Sequence, residues 1–193
     1  MRCYPMSSIL PIIPYILGIV GVVVYFSSTT HAERNQDFNI HSLFIGFLYG
    51  VLFALFAIII LKIESLFHIY DLNSTTVKSW IAKGGYLSSF WLYFPKRYIL
   101  PVFILSPILE EFTFRYLIMG RLVRRFGFAI AFNIFISVIF TTGHLYSIGP
   151  SIYVFIVSLA LGVLYLRKGI GASILAHASF SVSLILLTFL TYL

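Results

Sequence analysis

Long apolar runs, each close to the length of a membrane-crossing helix, recur along this sequence of 193 residues. A helix needs about 20 predominantly apolar residues to cross the hydrocarbon core of a bilayer. On that basis the sequence contains six candidate spans, at residues 9–26, 41–61, 98–120, 128–145, 150–166 and 170–193. Because they leave no room for a soluble domain, we expect an all-α fold, a polytopic transmembrane helical bundle with six spans.

The composition supports a membrane setting. Hydrophobic residues make up 60% of the chain and charged residues only 10%, whereas roughly a quarter of the residues in a soluble domain are charged. The net charge of +7 does not indicate nucleic-acid binding, because the basic residues stand in short clusters between apolar runs, where they would contact lipid headgroups. With Cys3 as the only cysteine, neither an intrachain disulfide nor a cysteine metal cluster can form.

The first apolar run faintly resembles a signal peptide, since it follows Arg2 and precedes a short polar stretch. Its 18 residues exceed the apolar core of such signals, which is roughly 7 to 15 residues long. We therefore interpret residues 9–26 as a span that is retained.

The chain divides into two parts, an N-terminal part at residues 1–97 and a helical core at residues 98–193. Residues 62–97 mix lysines with tryptophans and tyrosines, a blend typical of an interfacial segment. Short connections join the last four helices, which we expect to be antiparallel neighbours. Six spans give six basic residues on each side of the membrane, whereas a seventh crossing at residues 80–95 would give nine against three, so seven spans remain an alternative.

Three charged residues, Glu110, Glu111 and Arg115, lie near the middle of the span at residues 98–120. Each charge at mid-membrane costs roughly 2.5 to 3.5 kcal/mol on insertion scales. Glu111 precedes Arg115 by four residues, the favourable order for an ion pair on one helix face, so we expect these two to pair. Glu110 points about 100 degrees away around the helix and needs a partner from another helix.

Two of the later spans each carry one histidine. His144 follows Phe140 by one helical turn, and His177 precedes Ser181 by one turn. A carboxylate in an apolar setting holds a proton more tightly than in water, and beside an imidazole it can take a proton from a water molecule. A second imidazole and a hydroxyl could donate hydrogen bonds to the oxyanion that develops on a peptide carbonyl. These residues therefore predict hydrolytic chemistry.

Each of these residues also has a simpler interpretation. A buried acid–arginine pair can fix helix packing, and lone histidines, phenylalanines and serines are common packing residues in bundles. Two histidines and a glutamate are also the ligands of many catalytic zinc centres, so Glu110, His144 and His177 are candidate ligands for a divalent metal such as zinc. The sequence lacks the more specific zinc motif His-Glu-x-x-His, and it lacks the Gly-x-Ser-Gly and Gly-x-Gly-Asp motifs of other intramembrane proteases.

Three short motifs, in this order and spacing, resemble the CPBP family. They are Glu-Glu-x-x-x-Arg at 110–115, Phe-x-x-x-His at 140–144 and His-x-x-x-Ser at 177–181. The family comprises CAAX-type prenyl endopeptidases and bacteriocin-processing or immunity proteins, also called Abi proteins. The resemblance covers about residues 98–193 and includes the basic turn Gly-Arg-Leu-Val-Arg-Arg-Phe-Gly that follows the first motif.

The resemblance implies an all-helical intramembrane endopeptidase, expected in a bacterial cell membrane. It assigns water activation to Glu110 and His144, oxyanion stabilisation to His177 with its partner Ser181, and a supporting role to Glu111 and Arg115. The serine at 181 departs from the family, which usually has asparagine there. A serine hydroxyl can still donate a hydrogen bond, but its reach is shorter.

The motifs and the composition leave two main classes of function and a third that is less favoured. The first is a glutamate-dependent endopeptidase that cleaves a peptide or a membrane-associated protein segment near the bilayer surface; prenylated proteins, leader peptides and toxins all stay open as substrates. The second, suggested by Ser181, is a non-catalytic bacteriocin-immunity or interaction protein on the same scaffold. A proton-coupled carrier is less favoured, because the sequence shows no duplicated halves.

Overall fold

The structure, a computed structural model, describes residues 13–66, 101–123, 129–143 and 148–191. Within these ranges all regular structure is helical and no strand occurs, which confirms the expected all-α fold. The helices, in chain order, are α1 (Ile13–Ser28), α2 (His31–Asp37), α3 (Ile40–Leu66), α4 (residues 101–123), α5 (Ala129–Gly143), α6 (Ile148–Lys168) and α7 (Ile170–Thr191).

Helix α4 changes its winding along its length. It is π-helical at Pro101–Leu105, α-helical at Ser106–Glu111 and π-helical again at Phe112–Val123. A π-helix is wound more loosely than an α-helix, and such segments frequently occur at functional sites. The change of winding after Glu111 falls inside the predicted cluster of charged residues.

A helix lies at each of the six apolar runs. Among the described residues, one helical stretch, His31–Ile60, is long and apolar enough to cross a membrane, with a mean hydropathy of 2.8. Three shorter apolar helices are Tyr15–Ser28, Ile130–Thr142 and Ile170–Leu184. Most of the expected interfacial segment, and the whole of the alternative seventh crossing, lies outside the described residues. Helix α3 extends five residues beyond the expected end at 61, into that segment.

Helices α3 and α7 make the most extensive contact in the described part of the chain. Gly46 of α3 lies against Ala172 of α7, and one turn later Gly50 lies against Ala176. Any side chain at either glycine would clash with the backbone of α7. Small residues allow such close approach between helices in apolar surroundings, where tight packing drives association. A helix from the N-terminal part of the chain therefore fixes the position of α7.

Helix α1 packs along α4 in the same direction. Gly18 lies against Leu109, and Gly21 lies against Phe112, so the contact advances by three residues on both helices. The glycine contacts of α3 with α7 advance by four residues on both helices, so that pair is parallel as well.

Helices α4 and α7 run in opposite directions. The N-terminal residue of α7, Ile170, packs in one cluster with Tyr116, near the C-terminal end of α4. Further along α7, His177 contacts Glu111, nearer the start of α4. Since α3 is parallel to α7, the C-terminal end of α3 and the N-terminal end of α4 lie at the same end of the bundle.

Successive helices from α4 to α7 contact one another, as the short connections predicted. The connection between α6 and α7 is a single residue, Gly169, whose φ of 87° lies in the left-handed region that favours glycine. The side chain of Asp37 packs against this glycine and accepts a 2.8 Å hydrogen bond from the Tyr25 hydroxyl. The start of α7 is thus held by residues of α1 and α2.

Candidate active site

The predicted ion pair between Glu111 and Arg115 is present and completely buried. The Nε atom of Arg115 lies 3.5 Å from Oε2 of Glu111, and neither side chain is exposed. Arg115 also donates from Nη2 to the backbone oxygen and to the hydroxyl of Ser158 on α6, both at 2.8 Å. The guanidinium carbon lies 5.3 Å from the centre of the Phe140 ring of α5. The pair therefore ties α4 to the two helices that follow it.

His177 brings α7 into the same cluster. Its Nδ1 atom lies 3.0 Å from Oε1 of Glu111, and the hydroxyl of Ser173, one turn earlier on α7, donates to Oε2 of the same carboxylate. A carboxylate ion-paired with an arginine can only accept hydrogen bonds, so we assign the proton of this contact to Nδ1. The opposite ring nitrogen, Nε2, is then left for a different partner.

Glu110 lies on the other side of the histidine ring. Its Oε2 atom is 3.9 Å from Nε2 of His177, so the expected partner on another helix is found. Its Oε1 atom accepts a hydrogen bond from the hydroxyl of Ser106, four residues earlier on α4. Only 12% of the Glu110 side chain and 11% of the His177 side chain are exposed. The imidazole of His177 therefore stands between two carboxylates, one fully buried and one that reaches an opening.

That opening is a cavity of about 230 Å³ among α4, α5, α6 and α7. Its polar lining consists of Ser106, Glu110, His177 and Ser181. Its apolar and aromatic lining consists of Pro107, Phe140, Tyr153, Val154, Val157, Leu161, Phe180 and Leu184. These residues come from the N-terminal half of α4, the C-terminal half of α5 and the middle of α6 and α7. The cavity accordingly lies toward the end of the bundle where α4 begins.

The structure places two of the remaining predicted residues, Phe140 and Ser181, at the cavity, and the third, His144, lies outside the described residues. Phe140 is buried and packs edge-to-face on His177, with ring centres 5.8 Å apart. Ser181 lines the cavity, but its hydroxyl donates to the backbone oxygen of His177, one turn earlier on its own helix, at 3.1 Å. His144 lies outside the described residues, one position after the end of α5.

Sequence reasoning missed three serines that bond the charged residues, namely Ser106, Ser158 and Ser173. Two of them share a simple signal, because Ser106 precedes Glu110 by four residues and Ser173 precedes His177 by four residues. On a helix such a pair lies on one face. Ser158 has no comparable signal, since it stands 43 residues from Arg115 and meets it only through the packing of α4 against α6.

The donor atoms of Glu110 and His177 suit a zinc ion chemically, because zinc binds carboxylate oxygen and imidazole nitrogen. Within the part of the chain that the structure describes, no group of three histidine, cysteine, aspartate or glutamate side chains could hold a metal ion. The third candidate ligand, His144, lies outside that part.

The fold and the site together define a helical protein with a carboxylate–histidine centre buried inside an apolar bundle. Residues 90–183 match the family model of the type II CAAX prenyl endopeptidase Rce1-like proteins. The match agrees with the resemblance of the three motifs to the CPBP family, to which the Rce1-like endopeptidases belong. The family is a protease family, and its proteins are membrane-associated. No match to the chain was found among curated proteins or solved structures.

Proposed function

We propose that this chain is an intramembrane endopeptidase that hydrolyses a peptide bond in a membrane-associated protein or peptide. One observation carries the proposal: Glu110 and His177, from helices that run in opposite directions, approach to 3.9 Å at the polar wall of an otherwise apolar cavity. Burying carboxylates and imidazoles in an apolar bundle costs free energy, so such groups are usually paired with one another or mark a functional site. The match of residues 90–183 to a protease family model favours a catalytic role for this pair.

We propose further that the bundle crosses the membrane six times. The parallel packing of α1 with α4 and of α3 with α7 supports this number. In a six-span chain these pairs are the first and third spans and the second and sixth spans, which run in the same direction. A single extra crossing before α4 would make both pairs antiparallel. The basic residues are then equal on the two sides, so they leave the orientation in the membrane open.

In the proposed reaction Glu110 is the general base. Its Oε2 atom lies on the side of Nε2 of His177, and both residues line the cavity. This oxygen can accept a proton from a water molecule, while the oxygen of that water attacks the peptide carbonyl. The family resemblance assigns a share of the water activation to His144. When the tetrahedral intermediate collapses, the same carboxyl group can return the proton to the leaving amine. The peptide bond is then broken, with the water oxygen retained on the new carboxyl group.

His177 is the proposed oxyanion donor. Two carboxylates and one arginine surround it, so a protonated imidazole would bring the net charge of the cluster to zero. Its Nδ1–H is used by Glu111, and Nε2–H would be directed at the cavity, where the negative charge of the intermediate develops. Glu111 and Arg115 act by holding the ring in this orientation, as a second carboxylate does in other carboxylate–histidine pairs.

A divalent metal is compatible with this centre. Glu110 and His177 would be two of its ligands and His144 the third, and a bound ion would supply a Lewis acid that polarises the peptide carbonyl. Such an ion would need Nε2 of His177 without a proton, so it would take the place of the Nε2–H donor described for His177.

The test is hydrolysis by the purified chain in proteoliposomes. A farnesylated peptide that ends in a CAAX sequence, and its unmodified counterpart, are incubated in water enriched in ¹⁸O. We expect a shortened product whose new carboxyl group carries one ¹⁸O atom after a single turnover. The proposal would be overturned if neither peptide were cleaved and no member of an apolar peptide library were cleaved either.

A second candidate is the non-catalytic immunity or interaction protein. The observation in its favour is that the Ser181 hydroxyl donates its only proton to the backbone of its own helix. Protection of cells against a peptide toxin would support this candidate if it survived substitution of Glu110 and His144. Loss of protection with either substitution would favour the enzyme.

A further inference from the structure

We propose that Tyr15 and Ser106 are positioning residues for the general base, so that helix α1 takes part in the active site. This inference rests on the proposed function. The matched family region begins at residue 90, and α1 (Ile13–Ser28) lies wholly before it. None of the three sequence motifs includes either residue.

The bond between Ser106 and Glu110 sets the orientation of the carboxylate. The hydroxyl of Ser106 donates to Oε1 of Glu110, which leaves Oε2 on the side of His177. A glutamate side chain has several rotamers of similar energy, and a bond to one oxygen selects among them. Ser106 therefore holds the base with its free oxygen toward the imidazole and the cavity.

The single proton of the Ser106 hydroxyl determines which way the bond with Tyr15 runs. The hydroxyls of Tyr15 and Ser106 lie 3.3 Å apart, and a serine hydroxyl has only one proton to donate. Because that proton goes to Glu110, the Tyr15 hydroxyl must be the donor to Ser106. The chain of bonds then runs from Tyr15 through Ser106 to the carboxylate, and each link strengthens the next.

Close packing of α1 against α4 holds Tyr15 in place. One turn after Tyr15 and one turn after Ser106, Gly18 of α1 meets Leu109 of α4 with no space for a side chain between them. The two helices run in the same direction, so this contact fixes the spacing of the turn before it. Tyr15 is 40% exposed and lies at the end of the bundle toward which the cavity lies.

The test compares kcat and KM for Ser106→Ala, Ser106→Thr, Tyr15→Phe and the double variant Tyr15→Phe/Ser106→Ala. A hydrogen bond to a charged group is lost in the alanine variant, so we expect kcat to fall roughly tenfold with KM within about twofold. Threonine retains the hydroxyl and should restore most of the rate. The longer Tyr15 link predicts a smaller loss, of about threefold, and the double variant should be no slower than Ser106→Ala alone.

The matched controls are Tyr49→Phe and Ser27→Ala, since Tyr49 is similarly exposed at 45% and the Ser27 hydroxyl bonds only its own helix among the described contacts. Both should keep the wild-type rate. An alanine variant at 106 with wild-type kcat, or losses at 15 and 106 that multiply in the double variant, would overturn the inference. A purely structural role would lower the rates of the alanine and threonine variants equally.

If the wild-type protein hydrolyses no peptide, the proposed function fails. The same variants then still test whether Tyr15, Ser106 and Glu110 are linked by hydrogen bonds, through thermal unfolding in detergent. We expect Tyr15→Phe to lower the Tm when Ser106 is present and to leave it unchanged when alanine stands at 106. Equal shifts in the two backgrounds would contradict the coupling.

Discussion

Nδ1 of His177 lies 3.0 Å from Oε1 of Glu111, so the acid that pairs with Arg115 also orients the histidine. The sequence predicted the pairing with the arginine but not this second bond. One buried carboxylate thus connects a structural ion pair to the ring that faces the cavity. This dual role makes Glu111 as informative a target as Glu110.

Glutamine at position 111 should reverse the direction of the hydrogen bond to His177. An amide can donate to Nδ1, which would place the ring proton on Nε2 in the neutral form and remove the charge that supports an imidazolium. We expect kcat to fall by roughly 10²-fold or more with little change in KM, as for other orienting carboxylates. Steady-state kinetics of Glu111→Gln check this, and a kcat within about threefold of wild type would contradict it.

Removing Arg115 should destabilise the fold strongly. Arg115→Met leaves the buried Glu111 carboxylate without its cation, which typically costs about 3 to 5 kcal/mol in the free energy of unfolding. The double variant Glu111→Met/Arg115→Met removes both charges and should be more stable than Arg115→Met alone. Unfolding in detergent measures both, and a double variant less stable than the single one would show that the pair is not coupled.

Ser181 should contribute little in its present form. Its hydroxyl is bonded to the backbone oxygen of His177, so Ser181→Ala should keep kcat within about twofold of wild type. Ser181→Asn introduces a longer side chain with two donors at the cavity wall and should raise kcat, by roughly tenfold if it reaches the oxyanion. Peptidase assays of both variants test these two expectations. A tenfold loss of kcat in Ser181→Ala would mean that the serine already donates to the substrate.

Gly50 should be intolerant of any side chain. It lies against the backbone of α7 near Ala176, and an added side chain would force the helix that carries His177 outward. We expect Gly50→Leu to lower the free energy of unfolding by about 1 to 3 kcal/mol and to reduce kcat as well. Leu48→Phe is the control, because Leu48 is exposed on the outer face of α3. Equal stability of the two variants would contradict the close packing.

The sequence predicted those parts of the structure that depend on local spacing. Apolar length located the helices, and the four-residue step from Glu111 to Arg115 predicted their ion pair. Both follow from the geometry of a single helix. The sequence also predicted a tight connection at residues 167–169, where the structure has the single residue Gly169 between the helices.

The features that the sequence did not reveal depend on contacts between distant helices. Nothing local indicates that Gly46 and Gly50 pack against α7, or that Ser158 accepts from Arg115 across 43 residues of chain. The bond between His177 and Glu111 likewise joins two helices. The spacing along α4 indicated only Arg115 as a partner of Glu111. Such partners are selected by tertiary packing, which a pattern within one helix does not encode.

Glu110 is the proposed base of the hydrolytic centre, and its role is tested by measuring peptide cleavage by the wild-type protein and by Glu110→Gln side by side. Glutamine preserves the shape and the bond from Ser106 but cannot take a proton from water, so kcat should fall by roughly 10²- to 10⁴-fold. Glu33→Gln, at an exposed glutamate of α2, should cleave at the wild-type rate. Equal rates for wild type and Glu110→Gln would show that Glu110 is not the base.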